Sequence, residues 1–366
     1  MDATPPKRRW FRVFVALVFL LIIALGVGLV VWIRASATKP VEHDAEQIIT
    51  IEHGTTLNGV IARLSEAGIV RYPTALKIYL KLTGSGATPK AGDYKFDSPI
   101  SPLQAIEKIE RGEVFRQYVT IPEGFNRFDI AEKLADATQK ATREEFLRLM
   151  DKDEFLRFAQ DPALIRLVKE EIPPEVTNLE GYLFPDTYSF TLKDRPEDLI
   201  RMMVARFKEV FKPEWKQQAQ KLGMSVHKIV TLASMIEEEA KVPDERPRMA
   251  SVFYNRLKKG MKLQSDPTFI YAAKLAGNYD GNPNNGYRDR PSPYNTYFTD
   301  KLPPGPIASP GRASLEAALY PENSDYLYFV VSGTDGRHKF SRTQAEHDLA
   351  VAEYRRQQEE LKLQQQ

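Results

Sequence analysis

The stretch Thr231-Leu-Ala-Ser-Met-Ile-Glu-Glu-Glu-Ala240 sets three consecutive carboxylates at the end of an otherwise apolar segment. At about 100° per residue, Ile229, Leu232, Ala233, Ile236 and Ala240 form one helical stripe. The three glutamates are then inequivalent. Glu237 and Glu239 border the stripe on opposite sides, and Glu238 points away from it. Glu239 sits over Leu232, Met235 and Ile236, so its carboxyl is expected to be desolvated and its pKa raised, as a general acid requires. Glu237 has Lys241 four residues on, a spacing that pairs the two charges. The plain alternative is a solvated helix face, which is what most charge runs are.

Other chemistries are poorly supported. The five histidines show no HExxH and no paired ligand spacing, so no metal site and no cofactor are expected. A G-x-S-x-G elbow is missing, and the chain has no cysteine, which rules out thiol catalysis and disulfides. What remains is a carboxylate among groups suited to sugars. Residues 262–311 hold Leu263-Gln-Ser-Asp-Pro-Thr268, Ser292-Pro-Tyr-Asn-Thr-Tyr297 and Leu302-Pro-Pro-Gly-Pro-Ile307. Long proline- and tyrosine-rich loops in a compact domain are usually functional when aromatics hold them in place. Tyr287, Tyr294 and Tyr297 offer faces on which pyranose rings stack, and Gln264, Ser265 and Asn295 offer neutral donors and acceptors. Alternatively the tyrosines only pin the loops to the core. Leu179-Glu-Gly-Tyr-Leu-Phe-Pro-Asp-Thr-Tyr188 reads as another rigid, function-bearing loop. A hydrolase needs a second carboxylate, which Glu180, Asp186, Asp266 or Asp289 would supply. A lytic transglycosylase needs only one, because the substrate's own C6 hydroxyl replaces water.

These residues must be positioned, and the chain is long enough to do it. Residues 13–33 are an uncharged run of 21, about 31 Å as a helix, which matches the hydrocarbon thickness of a bilayer. Ala35-Ser-Ala37 would suit a signal-peptide cleavage site, but the apolar core is long for one, so a retained transmembrane helix is expected. Lys7, Arg8, Arg9 and Arg12 precede it, which leaves residues 1–12 as a cytoplasmic tail and the rest outside. Net charge is +2, from 51 basic and 49 acidic residues, and this argues against a nucleic-acid partner.

Beyond a linker at 34–47, residues 48–118 read as a small α+β subdomain of strand, helix, helix, strand and helix. Modules of this size and order resemble the LysM fold that binds amino-sugar glycans; a generic spacer is the alternative. A pattern recurs at an offset of seventy: Thr50-Ile51, Gly54, Val60 and Leu64 against Thr120-Ile121, Gly124, Ile130 and Leu134. Residues 119–350 form a larger α+β domain. Within it, 141–172 reads as helical, 226–240 as the glutamate helix and 246–259 as another helix. Tyr326-Leu-Tyr-Phe-Val-Val331 reads as a strand returning through a turn at 333–336 into His338-Lys-Phe340. A polar C-terminal tail, 351–366, extends a helix begun at Thr343, its last ten residues frayed.

Several motifs in fixed order resemble the YceG-like (MltG-type) endolytic murein transglycosylases. They are Ala233-Ser-Met-Ile-Glu-Glu-Glu239, Glu245-Arg-x-x-Met-Ala-Ser-Val-Phe-Tyr-Asn-Arg-Leu257, Gly260-Met-x-Leu-Gln-Ser-Asp-Pro-Thr268, Tyr294-Asn-Thr-Tyr297, Leu302-Pro-Pro-Gly-Pro-Ile307 and Leu327-Tyr-Phe-Val330. The resemblance implies that the last residue of an E-x-E pair, here Glu239, is catalytic; the middle position, often lysine in the family, is Glu238 here, and because it points away from the apolar stripe little effect is expected. It implies a LysM-like membrane-proximal subdomain and an anchor in the inner membrane. It also implies a peptidoglycan substrate cut between MurNAc and GlcNAc with 1,6-anhydro ends, which would terminate nascent strands near the synthases. Gln264, Asp266, Asn295 and Tyr297, with Ser265, would position the glycan, and Glu180 and Tyr182 would line the same cleft. A muramidase and a non-catalytic glycan-binding scaffold for synthases are the competing readings.

Overall fold

The computed structural model describes residues 7–84, 88–332 and 335–364. The chain divides into two compact units, Met1–Gln117 and Tyr118–Gln366. The class is α+β: helices dominate, and among the described residues six short strands form three separate two-stranded sheets.

In the first unit, one uninterrupted helix, Lys7–Thr38, contains the apolar span. Its stretch Trp10–Thr38 averages a mean hydropathy of 3.2 over its most apolar window, and none of that window is buried by protein. Only its last turns find protein. Ile33 and Ala37 are buried, Ala37 completely, and Ala37 joins a core of Ile51, Val60, Leu64, Tyr94 and Ile106. The segment 34–47, expected as a linker, is therefore bonded in: 34–38 are helical, and Val41 exchanges backbone hydrogen bonds of 2.8 and 3.2 Å with Ile100. Strand Ile48–Ile51 pairs antiparallel with Gly92–Lys95, Ile49 opposite Tyr94. Between them lie helices Leu57–Glu66 and Pro73–Thr83, and after them Pro102–Arg111. The last of these starts on a Ser101/Gln104 capping box and ends at left-handed Gly112, an arrangement that satisfies terminal backbone groups at both ends.

The second unit opens by repeating the first. Strand Gln117–Thr120, left-handed Gly124 and side-chain-capped helix Arg127–Thr138 match strand Ile48–Ile51, left-handed Gly54 and capped helix Leu57–Glu66. Ile51, Val60 and Leu64 are buried, and so are Ile121, Ile130 and Leu134. Strand Gln117–Thr120 pairs with Thr187–Phe190. The region 141–172 is three helices, Arg143–Leu149, Lys152–Phe158 and Pro162–Glu171. Thr142 and Asp161 each cap a new start with a side-chain acceptor, which interrupts the run.

Helix Val226–Glu239 is central rather than amphipathic. Every residue from Val226 to Ile236 except Lys228 is buried, as expected for a helix apolar on most faces. Helices Pro213–Lys221, Arg246–Lys258, Asp266–Leu275 and Arg312–Leu319 surround it. Strand Tyr328–Val331 pairs antiparallel with His338–Ser341, Tyr328 opposite Ser341; the expected turn between them includes Gly333 and Thr334, which lie outside the described residues. The segment expected as a tail from 351 is helical, part of Gln344–Gln364.

Candidate active site

Glu239 occupies the last position of the central helix, whose backbone leaves helical geometry at Ala240 with Pro243 close behind. That exit carries the carboxylate out of the core into a cleft of 490 Å³. Glu239 Oε1 accepts a hydrogen bond from Ser265 Oγ at 2.7 Å. Burial pushes its pKa up to about 7; the Ser265 hydroxyl opposes this, and the nearby Asp266 carboxylate adds to it. The raised acid expected from the helix pattern is present.

The loop beside it is held by neighbours in sequence-distant strips. Gln264 has φ +52°, a left-handed conformation unusual for a residue with a Cβ. Its N–H donates to the Thr296 carbonyl at 3.2 Å, and Ser265 N–H donates to Thr296 Oγ1 at 2.9 Å. Tyr297 O–H donates to Asp266 Oδ1 at 2.6 Å, and Arg288 lies over the Tyr297 ring. Asn295 sits wholly buried behind this loop, donating to the Arg288 and Arg290 carbonyls at 2.8 and 2.9 Å and accepting from Tyr297 N–H. Gln264, Asp266 and Tyr297 line the cleft with Glu239. Ser265, 1% exposed, touches the acid rather than the cleft, and Asn295 positions Tyr297 instead of meeting a ligand.

Glu180 and Tyr182 do not line the cleft. Gly181 takes φ +80°, and a side chain there would meet the Pro306 ring at 2.5 Å and Val230 at 2.9 Å, so the loop is clamped against the central helix. Glu180 is 1% exposed and receives the Arg127 N–H at 3.1 and 3.0 Å and the Tyr271 O–H at 3.0 Å. Burial pushes its pKa to about 7, against the Arg127 N–H and Tyr271 hydrogen bonds. Tyr182 is fully buried with its hydroxyl 3.1 Å from His227 Nδ1, whose Nε2 lies 2.9 Å from the Pro304 carbonyl. Of the three candidate stacking tyrosines only Tyr297 reaches the cleft; Tyr287 is buried beside Phe269, and Tyr294 packs on Tyr271 with centroids 5.1 Å apart.

The other glutamates also differ from expectation. Glu237 pairs with Arg246 at 3.1 Å, not with Lys241, and takes the Gly311 N–H at 2.8 Å, with both partners of the ion pair largely buried. Glu238 points away and is exposed. Its surroundings raise its pKa to about 7, chiefly by desolvation, an effect that solvent around the exposed side chain damps.

The opposite wall of the cleft was missed in the sequence. Tyr328, Val330, His338, His347 and Val351 contribute to it, with Arg256 at its base. Arg256, 7% exposed, donates to the carbonyls of Leu327, Lys262 and Leu263 and to Gln264 Oε1. Glu245 holds His338 through its backbone N–H and Nδ1, the latter at 2.8 Å. Glu245, at the N-cap of helix Arg246–Lys258, and Arg256 within that helix thus fasten the hairpin. The available signal was the pair Glu245 and Arg256 within one quoted motif.

Comparison with known proteins shows which family the chain belongs to. The YceG-like family profile matches residues 49–353. The endolytic murein transglycosylase of Bacillus subtilis (strain 168) is 35% identical over 333 residues, covering 87% of this chain and 88% of that protein. The one of Streptococcus pneumoniae serotype 2 is 29% identical over 354 residues, covering 92% of this chain and 64% of that protein. A crystal structure of a yceG-like protein from Listeria monocytogenes superposes with a TM-score of 0.57 at 33% identity, over 82% of this chain and 97% of that one. The profile match spans most of the chain and both compact units, and on that ground this protein is a member of the YceG-like family.

Proposed function

We propose that this protein is a peptidoglycan lytic transglycosylase in which Glu239 serves first as acid and then as base. One observation carries the reading: a carboxyl with pKa about 7 is fixed by Ser265 at the mouth of an open polar cleft. Protonated Glu239 gives its proton to the glycosidic oxygen between MurNAc and GlcNAc as the C1–O bond breaks. The resulting carboxylate takes the proton of the MurNAc C6 hydroxyl, whose oxygen bonds to C1 and closes the 1,6-anhydro ring. No water enters. The Asp266 carboxylate, oriented by Tyr297, supplies negative charge opposite the cationic character that develops at C1. Gln264 and Tyr297 contact the glycan, and Ser265 and Asn295 hold them and the acid in place.

The apolar helix anchors the enzyme in the inner membrane, with residues 1–12 in the cytoplasm and the rest outside. Full burial of Ala37 inside a continuous helix favours retention over cleavage there. The first unit, with its strand–helix–helix–strand order, acts as a LysM-like glycan-binding module, and synthases are the partners whose strands are cut.

Asp266 in the same cleft favours a hydrolase as the second reading, since it provides a second carboxylate. Mass spectrometry of products from purified glycan strands separates the two. Fragments lighter by one water at the new MurNAc end are expected; ordinary reducing ends would overturn the transglycosylase reading.

A further inference from the structure

The C-terminal helix Gln344–Gln364 carries none of the machinery assigned above, yet Gln344, His347 and Val351 line the same cleft as Glu239. Spacings of three and four put them on one helix face. His347 stacks on Tyr328, with ring centroids 5.1 Å apart and planes 22° apart. Its Nδ1 is buried and meets no hydrogen-bond partner among the described residues. Orphaned buried N–H groups are rarer than under-used acceptors, so the ring proton belongs on Nε2, and Nε2–H is the donor left for the cleft. Burial and the neighbouring Arg256 charge both lower the imidazole's pKa, outweighing Asp348, so the ring is neutral near pH 7.

The surroundings narrow what this donor reads. Tyr328 and Val330 lie two apart on their strand and share one face, which sets Val330 beside the ring that Tyr328 stacks on. Val351 follows His347 by one helical turn. The neutral Nε2–H donor of His347 therefore shares its stretch of the cleft wall with two branched apolar side chains, Val330 and Val351. An anionic ligand group would call for an exposed cation, but Arg256 is only 7% exposed and its Nε and Nη1 already serve three carbonyls and Gln264. A hydroxyl would leave the valines unused.

We infer that this wall is a subsite for a 2-acetamido group: His347 Nε2–H donates to its carbonyl oxygen, and its methyl group rests between Val330 and Val351. The inference rests on the glycan-cleaving reading and adds to it the residue that makes the cleft selective for N-acetylated sugars.

The test compares peptide-free glycan strands, N-acetylated or chemically de-N-acetylated, as substrates for the full-length wild type, His347→Leu and His347→Gln. Glutamine keeps an N–H near the position of Nε2. The wild type is expected to favour the acetylated strand by about tenfold or more in kcat/KM, the scale of one hydrogen bond and a buried methyl. In His347→Leu that preference should collapse through a raised KM on the acetylated strand only. His347→Gln should keep the preference at a lower rate. A leucine variant that slows both strands by one factor, or that keeps the preference, overturns the subsite; so does a glutamine variant that loses it, which decides the matter should the leucine variant fail to fold. No cleavage of acetylated strands by the wild type would instead overturn the glycan-cleaving reading.

Discussion

Glu239 and Glu180 are both glutamates whose pKa burial raises to about 7, and both accept a hydrogen bond from a neighbouring hydroxyl. One stands at the end of a helix and opens to a 490 Å³ cleft. The other is 1% exposed and enclosed by Arg127 N–H and Tyr271. A raised pKa is therefore common to both glutamates, and access to the cleft is what separates them. Perturbed ionisation points to candidate sites, and the path to the group decides between them.

The strongest way to break this contrast is Glu239→Gln. Loss of a general acid should lower the cleavage rate by ~10³-fold while circular dichroism and the melting temperature stay near wild type. Near-normal activity would remove Glu239 from the chemistry. Glu237→Gln should act on stability instead, because it removes the charge that Arg246 pairs with in a largely buried site. A loss of about 3 kcal/mol is expected in chemical denaturation, with the pH–rate profile of the folded fraction unmoved; a shifted profile would make Glu237 part of the acid system.

Glu180→Gln should cost about 1 kcal/mol and leave turnover per folded molecule intact. It also carries a pH signature. The folded pKa of Glu180 lies above its unfolded value, so its contribution to stability is complete below about 4.5 and lost as pH rises through about 7. Melting temperatures measured across that window should fall less steeply in the variant. The smallest effect belongs to Ser265→Ala. Cleavage by the wild type should decline as pH rises through about 7, where Glu239 loses its proton. Because the Ser265 hydroxyl holds that pKa down, its removal should move the declining limb to higher pH, by less than about one unit. A shift to lower pH would mean that Ser265 does not act through Glu239.

Much of this arrangement is legible from local pattern. Helix Val226–Glu239, the apolar N-terminal helix and the seventy-residue recurrence all follow from the spacing of apolar residues and turn glycines, which short-range sterics enforce. Residue type alone brings out Gln264 and Tyr297, and Asp266 as one of four candidate carboxylates, but equally Tyr287 and Tyr294, which lie away from the cleft. What local pattern does not encode is which side of a loop faces the core. Glu180 and Tyr182 sit in a segment as rich in aromatics as the one bearing Tyr297, yet Gly181 against Pro306 turns the first inward. The partner of Glu237 is a similar case: Lys241 is nearer in sequence, but the helix ends at Glu239 before reaching it and Arg246 arrives after the Pro243 turn. His347 and Val351 were overlooked because their helix is polar overall, and only its packing on the hairpin shows which face meets the cleft.

The helix Lys7–Thr38 ends with Ala37 enclosed in the core of the first unit. The helix runs without interruption from its apolar stretch into that module. Mechanically the helix is a mast stepped into the deck, rather than a tether. For the membrane anchor proposed above, the module's height above the lipid and its heading about the helix axis would follow from packing around Ala37 and from the contact of Trp32 with Tyr72, so that the first unit would sample a thin stratum beside the membrane instead of a hemisphere of chain-length radius.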